Sequence, residues 1–246
     1  VPEGLSVDSA VETVNAAFDA ENPEVVLVEA CRHMKVIAGS LAFHADTAVI
    51  TDVTAFEAGG AKSMYFGGIA ERVQKAAGNV AIYTVGAGVF DGAEGANGSV
   101  AEQEWVAPAR PVKVVSSQVI EKSGVNLFKA DVVVAAGRGF AEESQLSLAN
   151  DLCDKLGAGL ACSRPLTEGV NWLPTERYVG VSGLMLTPKV YIAAGISGQM
   201  QHMVGCNRSG AIFAINKDKN APIFKQCDFG LIGDIKDVLP AITAAL

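Results

Sequence analysis

The chain has 246 residues, of which 50% are hydrophobic and 19% are charged. This length and composition predict one large or two ordinary folded domains with a substantial core, and they exclude a disordered chain. The formal net charge of −8 argues against nucleic acid or an anionic membrane as a partner. No apolar run approaches the roughly 18–20 residues that span a bilayer, so we expect no membrane insertion.

Strand and helix patterns alternate through the first half of the chain. Helical spacing of apolar residues predicts helices over residues 9–18 and 31–42. Short β-rich runs predict strands over residues 25–28, 48–53, 63–66 and 80–85. Residues 91–99 have the composition of an exposed loop, and the β-rich segment 112–120 predicts the last strand of this half.

The second half repeats the alternation with glycines at the strand ends. Helices are predicted over residues 142–156 and 234–246, and strands over residues 131–136, 159–162, 190–194 and 211–215. This order is typical of parallel sheets in an α/β fold. We therefore predict two α/β domains, covering residues 1–118 and 119–246.

Ligands of parallel sheets bind outside the carboxyl ends of the strands, so the residues that follow predicted strands are candidates. In the second half they are Gly137-Arg138-Gly139, Ser163-Arg164, Gly195 to Gly198, and Asn216. The set contains small residues, hydroxyls and two arginines but no acid, which suits a planar anionic ligand such as a dinucleotide. The alternative for either arginine is a helix cap or a pair with a surface carboxylate.

The turn Gly195-Ile196-Ser197-Gly198 joins a strand to a predicted helix start, an arrangement that presents backbone N–H groups to phosphate. It is not the GxGxxG fingerprint of NAD-binding domains. His202 lies one turn into that helix, and its alternative role is a satisfied core histidine. Trp172 and Tyr178 are expected to be core or loop-anchoring aromatics.

No catalytic constellation is apparent in the sequence. No Ser/His/Asp or Cys/His arrangement can be assembled, and no His, Cys or carboxylate cluster has the spacing of metal ligands. The five cysteines are scattered and indicate ordinary thiols in a reducing compartment. We therefore predict no catalytic residue and no metal.

Several long motifs resemble those of one family, the electron-transfer flavoprotein alpha subunits. They are AAGRG (135–139), CSRPLTEG (162–169), VGVSG (179–183), GISGQMQH (195–202), INKDKNAPIF (215–224) and DFGLIGDI (228–235). TDVTAFE (51–57) and MYFGGIA (64–70) resemble the family's first domain more loosely. The sequence of these motifs is most similar to that of the bacterial branch associated with carnitine and acyl-CoA metabolism.

The resemblance implies a Rossmann-like, parallel-sheet FAD-binding domain over residues 119–246. It implies FAD as cofactor, a beta subunit as partner in a heterodimer, and a location in the bacterial cytoplasm. Electrons would pass from an acyl-CoA dehydrogenase or a similar flavoprotein to a downstream acceptor, so the chain would be a carrier rather than a stand-alone enzyme. The alternatives are an NAD-type Rossmann oxidoreductase and a nucleotide-binding regulatory subunit.

The resemblance also assigns roles to particular residues. Arg138 would contact the phosphate-bearing part of FAD, Ser163 and Arg164 would lie beside the isoalloxazine, and the Ser182 hydroxyl would reach flavin N5. A guanidinium over the ring would stabilise the anionic reduced flavin.

The remaining roles fall on two further groups of residues. Ser197 to His202 would form the pyrophosphate and ribityl loop, with His202 near the pyrimidine edge, and Asn216 and Asp234-Ile235 would contact the adenosine half. The complete set implied for FAD is Arg138, Ser163, Arg164, Val179, Gly180, Val181, Ser182, Ser197, Gly198, Gln199, Met200, Gln201, His202, Asn216, Asp234 and Ile235.

Two departures from the family pattern are expected to matter. Val181 stands where many members have Gln, which removes one polar contact. The first domain of the family opens with further β and α elements, so we expect that this sequence is truncated at its start and that its first sheet has an exposed edge.

Overall fold

The computed structural model describes residues 1–92, 95, 98–119 and 125–246. The chain forms two compact units, Val1–Ile120 (the first unit) and Glu121–Leu246 (the second unit), and each is described by itself. Within the described residues, no helix is both long enough and apolar enough to cross a membrane.

The first unit contains a five-stranded mixed sheet and two helices. The helices are α1 (Val11–Glu21) and α2 (Arg32–His44), and the strands are β1 (Val25–Glu29), β2 (Val49–Glu57), β3 (Gly60–Tyr65), β4 (Ala70–Gln74) and β5 (Ala81–Val85). The strand order is β1-β5-β2-β3-β4. β1, β5 and β2 pair in parallel, whereas β3 pairs antiparallel with both β2 and β4, so the prediction of parallel sheets is wrong for the β2–β3–β4 part of this sheet.

The core of the first unit lies mainly under α2. Its apolar face buries Ala38 and Leu41 against Val28 and Ile82 of the sheet. Leu27, which points to the opposite face of β1, is 64% exposed, and β1 forms one edge of the sheet.

The strand predicted over residues 112–120 is wrong for its described part, residues 112–119. Only an isolated bridge between Leu5 and Lys113 forms there. The backbone N–H of Val112 donates to the Ser9 hydroxyl and that of Val114 to the Gly4 carbonyl, so the segment is bonded to the start of the chain and not to the sheet. Ile120 lies outside the described residues, as do residues 93, 94, 96 and 97 of the loop predicted over 91–99.

The second unit contains a fully parallel five-stranded sheet with helices. The strands are β6 (Val132–Ala136), β7 (Gly159–Cys162), β8 (Val190–Ala194), β9 (Ala211–Asn216) and β10 (Phe229–Ile232), and the helices are α3 (Leu146–Leu156), α4 (Met200–Met203) and α5 (Ile235–Ala245). The four predicted strands are present. The sequence pattern does not predict β10, because its short apolar segment contains Gly230 and lies exposed at the sheet edge.

Both faces of the central strands of this sheet are covered. Val134 and Ala136 of β6 face Leu152 of α3 and Leu239 of α5. Val133 and Ala135 point the other way, into a second cluster that includes Tyr191, Met203 and Ile223. Because these strands are buried on both faces, they are continuous apolar runs, and such runs can be recognised in the sequence.

The strand order β10-β9-β8-β6-β7 places the first strand of the unit, β6, between β7 and β8. The chain therefore builds the sheet in one direction from β6 to β7 and in the other from β8 onward. Such a reversal is a topological switch point, where the loops after the two central strands diverge and leave a crevice at the carboxyl edge. The site is expected beyond the ends of β6 and β8.

Candidate functional site

A cavity of about 400 Å³ opens at this carboxyl edge. Its volume lies within the range of about 300–1,000 Å³ typical of small-molecule sites. Each strand of the sheet contributes through the residues at or after its end, namely Arg138, Ser163, Arg164, Ser197, Asn216 and Asp234. The cavity therefore lies where the strand order predicts a ligand.

The loops after β6 and β8 approach each other closely at the switch point. The Gly137 N–H donates to the Ala194 carbonyl at 2.9 Å, and the Gly139 N–H to the Gly195 carbonyl at 2.9 Å. A Cβ atom on Gly137 would lie 2.3 Å from the Gly195 oxygen, so a side chain there would force the loops apart. This contact holds Arg138, between the two glycines, at the wall of the cavity.

Arg164 lies at the start of the helical turn Pro165–Gly169 that follows β7. Its Nε donates to the Glu168 carboxylate at 2.6 Å, and both side chains are about half exposed. This carboxylate raises the pKa of the Arg164 guanidinium. Arg164 thus pairs with a surface carboxylate, as the alternative interpretation expected, and it also lines the cavity.

The segment Tyr178 to Gly183 forms another wall. Tyr178 is 5% exposed, and its hydroxyl is 2.9 Å from the Ser182 hydroxyl. The Gly183 N–H donates to the Gly180 carbonyl, which closes the turn around the tyrosine ring. Tyr178 belongs to the core, as predicted, but it also lines the cavity, which the sequence did not indicate.

His202, on α4, is 8% exposed and lines the cavity. Its Nε2 lies 3.0 Å from the Tyr191 hydroxyl, while its Nδ1 has no hydrogen-bond partner among the described residues. Burial lowers the pKa of His202 to about 4, and a contact with the Val179 backbone, which lacks the geometry of a full hydrogen bond, raises it to a smaller extent. The imidazole is therefore neutral at pH 7, and Nδ1 keeps hydrogen-bonding capacity that no described residue uses.

The far end of the cavity is held by two side chains that bond to backbone. Asn216 donates from Nδ2 to the Ile196 carbonyl at 2.9 Å and accepts from the Asp218 N–H at 2.9 Å. Asp234 caps α5 by accepting from the Lys236 N–H at 3.0 Å. Both side chains therefore fix loop geometry in addition to lining the cavity.

The structure brings most residues of the predicted set to the cavity wall, with Gly180, Gly198 and Met200 as the exceptions. Gly180 (φ +150°) and Gly198 (φ +83°) shape the loops through close backbone contacts to Gln201 and Ile223. The predicted residues that line the cavity are Arg138, Ser163, Arg164, Val179, Val181, Ser182, Ser197, Gln199, Gln201, His202, Asn216, Asp234 and Ile235.

The cavity also contains residues outside the set implied for FAD. They are Gly139, Pro165, Tyr178, Gly195, Ile196, Lys217, Asp218, Ala221, Pro222 and Gly233. Three of them, Gly139, Gly195 and Ile196, are strand-end candidates. Lys217 and Asp218 directly follow Asn216 at a strand end, so the strand-end rule could have included them. The strand-end candidates contain no acid, but the cavity wall that they share also includes Asp218 and Asp234. Among the described residues, no group of three or more His, Cys, Asp or Glu has the arrangement of a metal site.

The fold and the cavity define a class of protein, an α/β protein that binds a nucleotide cofactor at the switch point of a parallel sheet. Residues 126–207 match the family model described as the electron transfer flavoprotein FAD-binding domain, and residues 3–110 match the electron transfer flavoprotein domain. The chain belongs to the electron transfer flavoprotein family, as an alpha-type subunit whose cofactor is FAD.

Curated relatives agree with this assignment. The chain is 44% identical over 229 residues to Protein FixB of Escherichia coli O81 (strain ED1a), a match that covers 90% of this chain and 73% of the relative. Protein FixB of Escherichia coli O7:K1 (strain IAI39 / ExPEC) is 43% identical over the same shares. The predicted family, fold class and cofactor are thereby confirmed, and the family pairs an alpha-type subunit with a beta subunit in a heterodimer.

A solved structure that matches over the full chain is only weakly similar. It is an X-ray structure of an enzyme from Mycobacterium smegmatis described as thiamin diphosphate-dependent. The match covers 100% of this chain and 56% of that one, with 12% identity and a TM-score of 0.30. This likeness is too low to carry an argument.

The residues at the cavity fit FAD chemically. Arg138 and Arg164 offer guanidinium groups to phosphate or to a planar ring, and Ser163, Ser182 and Ser197 offer hydroxyls. The partnerless Nδ1 of His202 is a buried polar atom of the kind that a bound ligand satisfies.

Proposed function

We propose that FAD binds in the cavity of the second unit and that the heterodimer carries electrons from an acyl-CoA dehydrogenase, or a similar flavoprotein, to a downstream acceptor. The observation that carries this proposal is the cavity at the switch point, with two arginines and a buried imidazole in its wall. When bound, FAD accepts and releases electrons, and this chain supplies the electrostatic setting and the shape of the site.

Arg164 is proposed to lie over the flavin ring. A positive charge near the ring favours added negative charge, so the guanidinium would raise the tendency of the cofactor to accept electrons. Glu168 holds the guanidinium from one side and partly neutralises it. Arg138, on the loop after β6, is proposed to bind the phosphates, for which a planar guanidinium is well suited.

Ser182 and His202 are proposed to bond to the polar atoms of the flavin. The Ser182 hydroxyl is held by Tyr178 at the wall, and His202 offers Nδ1. Val181, which stands beside Ser182 and is 41% exposed, adds apolar surface where many family members have an amide. Ser163, together with Val179, is proposed to contact the ring system from the end of β7 and the following loop.

The loop after β8 is proposed to follow the pyrophosphate and ribityl chain. It is anchored at its base because the Ile223 N–H donates to the Ser197 carbonyl and the Gln226 amide donates to the Gly198 carbonyl. Gln199 and Gln201 lie in the wall beyond it, while Met200, like Gly180, would act through the backbone. The adenosine half is proposed to lie against Asn216, Asp234 and Ile235.

Two further proposals concern the setting of this chemistry. We propose that the domain boundary lies between residues 118 and 119, close to the border of the two compact units at Ile120 and Glu121. A cytoplasmic location in a bacterium is supported by the five cysteines, all of which are free thiols.

The test uses the purified heterodimer of this chain with its beta subunit. It should contain bound FAD, and its absorbance should bleach only when an acyl-CoA and its dehydrogenase are both added. Arg138→Ala should weaken FAD binding, whereas Arg110→Ala, which changes an exposed arginine of the first unit, should leave it unchanged. Reduction by NADH alone would instead support an NAD-type oxidoreductase, and a colourless complex that never takes up FAD would contradict the proposal.

A further inference from the structure

Tyr191 and His202 form a buried pair next to the cavity. Tyr191, on β8, is completely buried, and its hydroxyl lies 3.0 Å from Nε2 of His202. The other ring nitrogen, Nδ1, is buried without a hydrogen-bond partner among the described residues. A buried polar atom left without a partner destabilises the fold, so a cavity ligand that bonds to Nδ1 would remove that cost.

The protons on this cluster can be counted. Cys206 also bonds to the Tyr191 hydroxyl, and burial raises the pKa of its thiol to about 12. Burial likewise raises the pKa of Tyr191 well above its usual value, so both groups keep their protons at pH 7. The neutral imidazole of His202 carries one proton, which occupies either Nδ1 or Nε2.

Two arrangements satisfy the 3.0 Å contact. In the first, the Tyr191 hydroxyl donates to Nε2, and the imidazole proton lies on Nδ1. In the second, Nε2–H donates to the tyrosine oxygen, and the hydroxyl donates to the sulfur of Cys206. An imidazole nitrogen is a much better acceptor than a thiol sulfur, and the Cys206 S–H can still donate to the tyrosine oxygen in the first arrangement. The first arrangement is therefore favoured.

We propose that Tyr191 is a positioning residue, whose hydroxyl donates to Nε2 of His202 and thereby fixes the imidazole proton on Nδ1 as a hydrogen-bond donor for the cavity ligand. The inference rests on the proposed FAD site and deepens it, because it assigns the bound cofactor an acceptor atom, a carbonyl oxygen or ring nitrogen, at His202. Tyr191 acts through His202, and it is absent from the cavity wall.

The experiment reads the position of the proton directly. This chain, labelled with ¹⁵N-histidine, is combined with an unlabelled beta subunit and observed by long-range ¹H–¹⁵N correlation before and after removal of FAD. Its three histidines give three ring patterns, and His202→Gln identifies the one that belongs to His202. At pH 7 we expect His202 to be protonated on Nδ1 both with and without FAD.

Tyr191→Phe removes only the hydroxyl. We expect the His202 proton to move wholly or partly to Nε2, and FAD to bind about three- to tenfold more weakly, as for the loss of one hydrogen bond. Tyr83→Phe, which removes a tyrosine hydroxyl from the first unit, should change neither quantity. In the His202→Gln background, Tyr191→Phe should have no further effect on FAD binding, because Tyr191 affects the cofactor only through His202.

Two results would overturn the inference. One is a wild-type His202 protonated on Nε2, and the other is an equal loss of FAD affinity on Tyr191→Phe with and without His202. Failure of the wild-type heterodimer to bind FAD would instead overturn the proposed function. The proton position in the cofactor-free protein would then still decide whether Tyr191 sets the tautomer.

Discussion

The Tyr178 hydroxyl lies 2.9 Å from the Ser182 hydroxyl, across the short turn that forms one wall of the cavity. The turn folds around the tyrosine ring, because a Cβ on Gly183 would lie 2.7 Å from a ring carbon. The ring thus supports the turn by packing, and its hydroxyl positions Ser182. These two contributions can be separated by mutation.

Tyr178→Phe should cost about 0.5–1.5 kcal/mol of stability, since it removes one hydrogen bond and keeps the ring. Tyr178→Ala should cost about 3–5 kcal/mol, since it leaves a cavity under the turn, and it should abolish FAD binding. Urea unfolding and FAD titration of the heterodimer measure both effects. Equal losses in the two variants would show that the ring does not support the turn.

Arg164→Ala should lower the reduction potential of bound FAD by some tens of millivolts, because a positive charge near the flavin is lost. Arg164→Lys keeps the positive charge but lacks the planar guanidinium, so the reduction potential of bound FAD should stay close to the wild-type value. Glu168→Gln removes the carboxylate that bonds to Nε of Arg164 and should shift the potential upward. Redox titration of the three variants measures the shifts, and an unchanged potential in Arg164→Ala would remove this residue from its proposed role.

The parts of the site that could be predicted from the sequence are those fixed by local pattern. β6 and β8 are hydrophobic throughout, apart from the Tyr191 hydroxyl, because both faces of these central strands are covered, and the residues that follow them therefore mark the site. Arg138, Arg164 and Ser197 were found in this way or through long motifs. The positions of these strand ends required no knowledge of distant contacts.

The missed features depend on contacts between distant residues. The segment after Pro111 has β-rich composition, but the Ser9 hydroxyl, far away in sequence, takes the Val112 N–H and the segment stays outside the sheet. Tyr178 lies at the cavity wall where Gly180, with φ +150°, turns the chain back over the tyrosine ring. No local pattern encodes either contact.

Gly137→Ala should destabilise the second unit by about 1–3 kcal/mol and weaken FAD binding, because its Cβ would lie 2.3 Å from the Gly195 oxygen. The matched control is Gly39→Ala in α2, where a Cβ meets nothing within 4 Å. There alanine should stabilise the helix by about 0.5–1 kcal/mol. Urea unfolding measures the free-energy change of both variants, which should have opposite signs. If Gly137→Ala left the free energy of unfolding unchanged, the loops after β6 and β8 could separate without cost.

His202 should make the second unit less stable in acid. Its pKa is about 4 in the folded protein against 6.5 for an ordinary histidine, since burial disfavours the charged ring. Between these two values the unfolded chain binds a proton that the folded chain does not. Above pH 6.5 the protonation of His202 therefore does not lower the free energy of unfolding. As the pH falls below 6.5 the free energy of unfolding decreases, by about 3 kcal/mol at pH 4.

His202→Gln should flatten this part of the pH profile. Comparing urea unfolding of this variant with the wild type, from pH 7 to pH 4, cancels the contributions of groups that both proteins share. The control is His44→Gln, which changes a histidine of the first unit that pairs with Asp19. Its free energy of unfolding should still decrease in acid, because His202 is intact. If His202→Gln lost as much stability as the wild type over this range, the imidazole would be able to take up a proton in the folded state, and its role as a neutral donor at the cavity would be refuted.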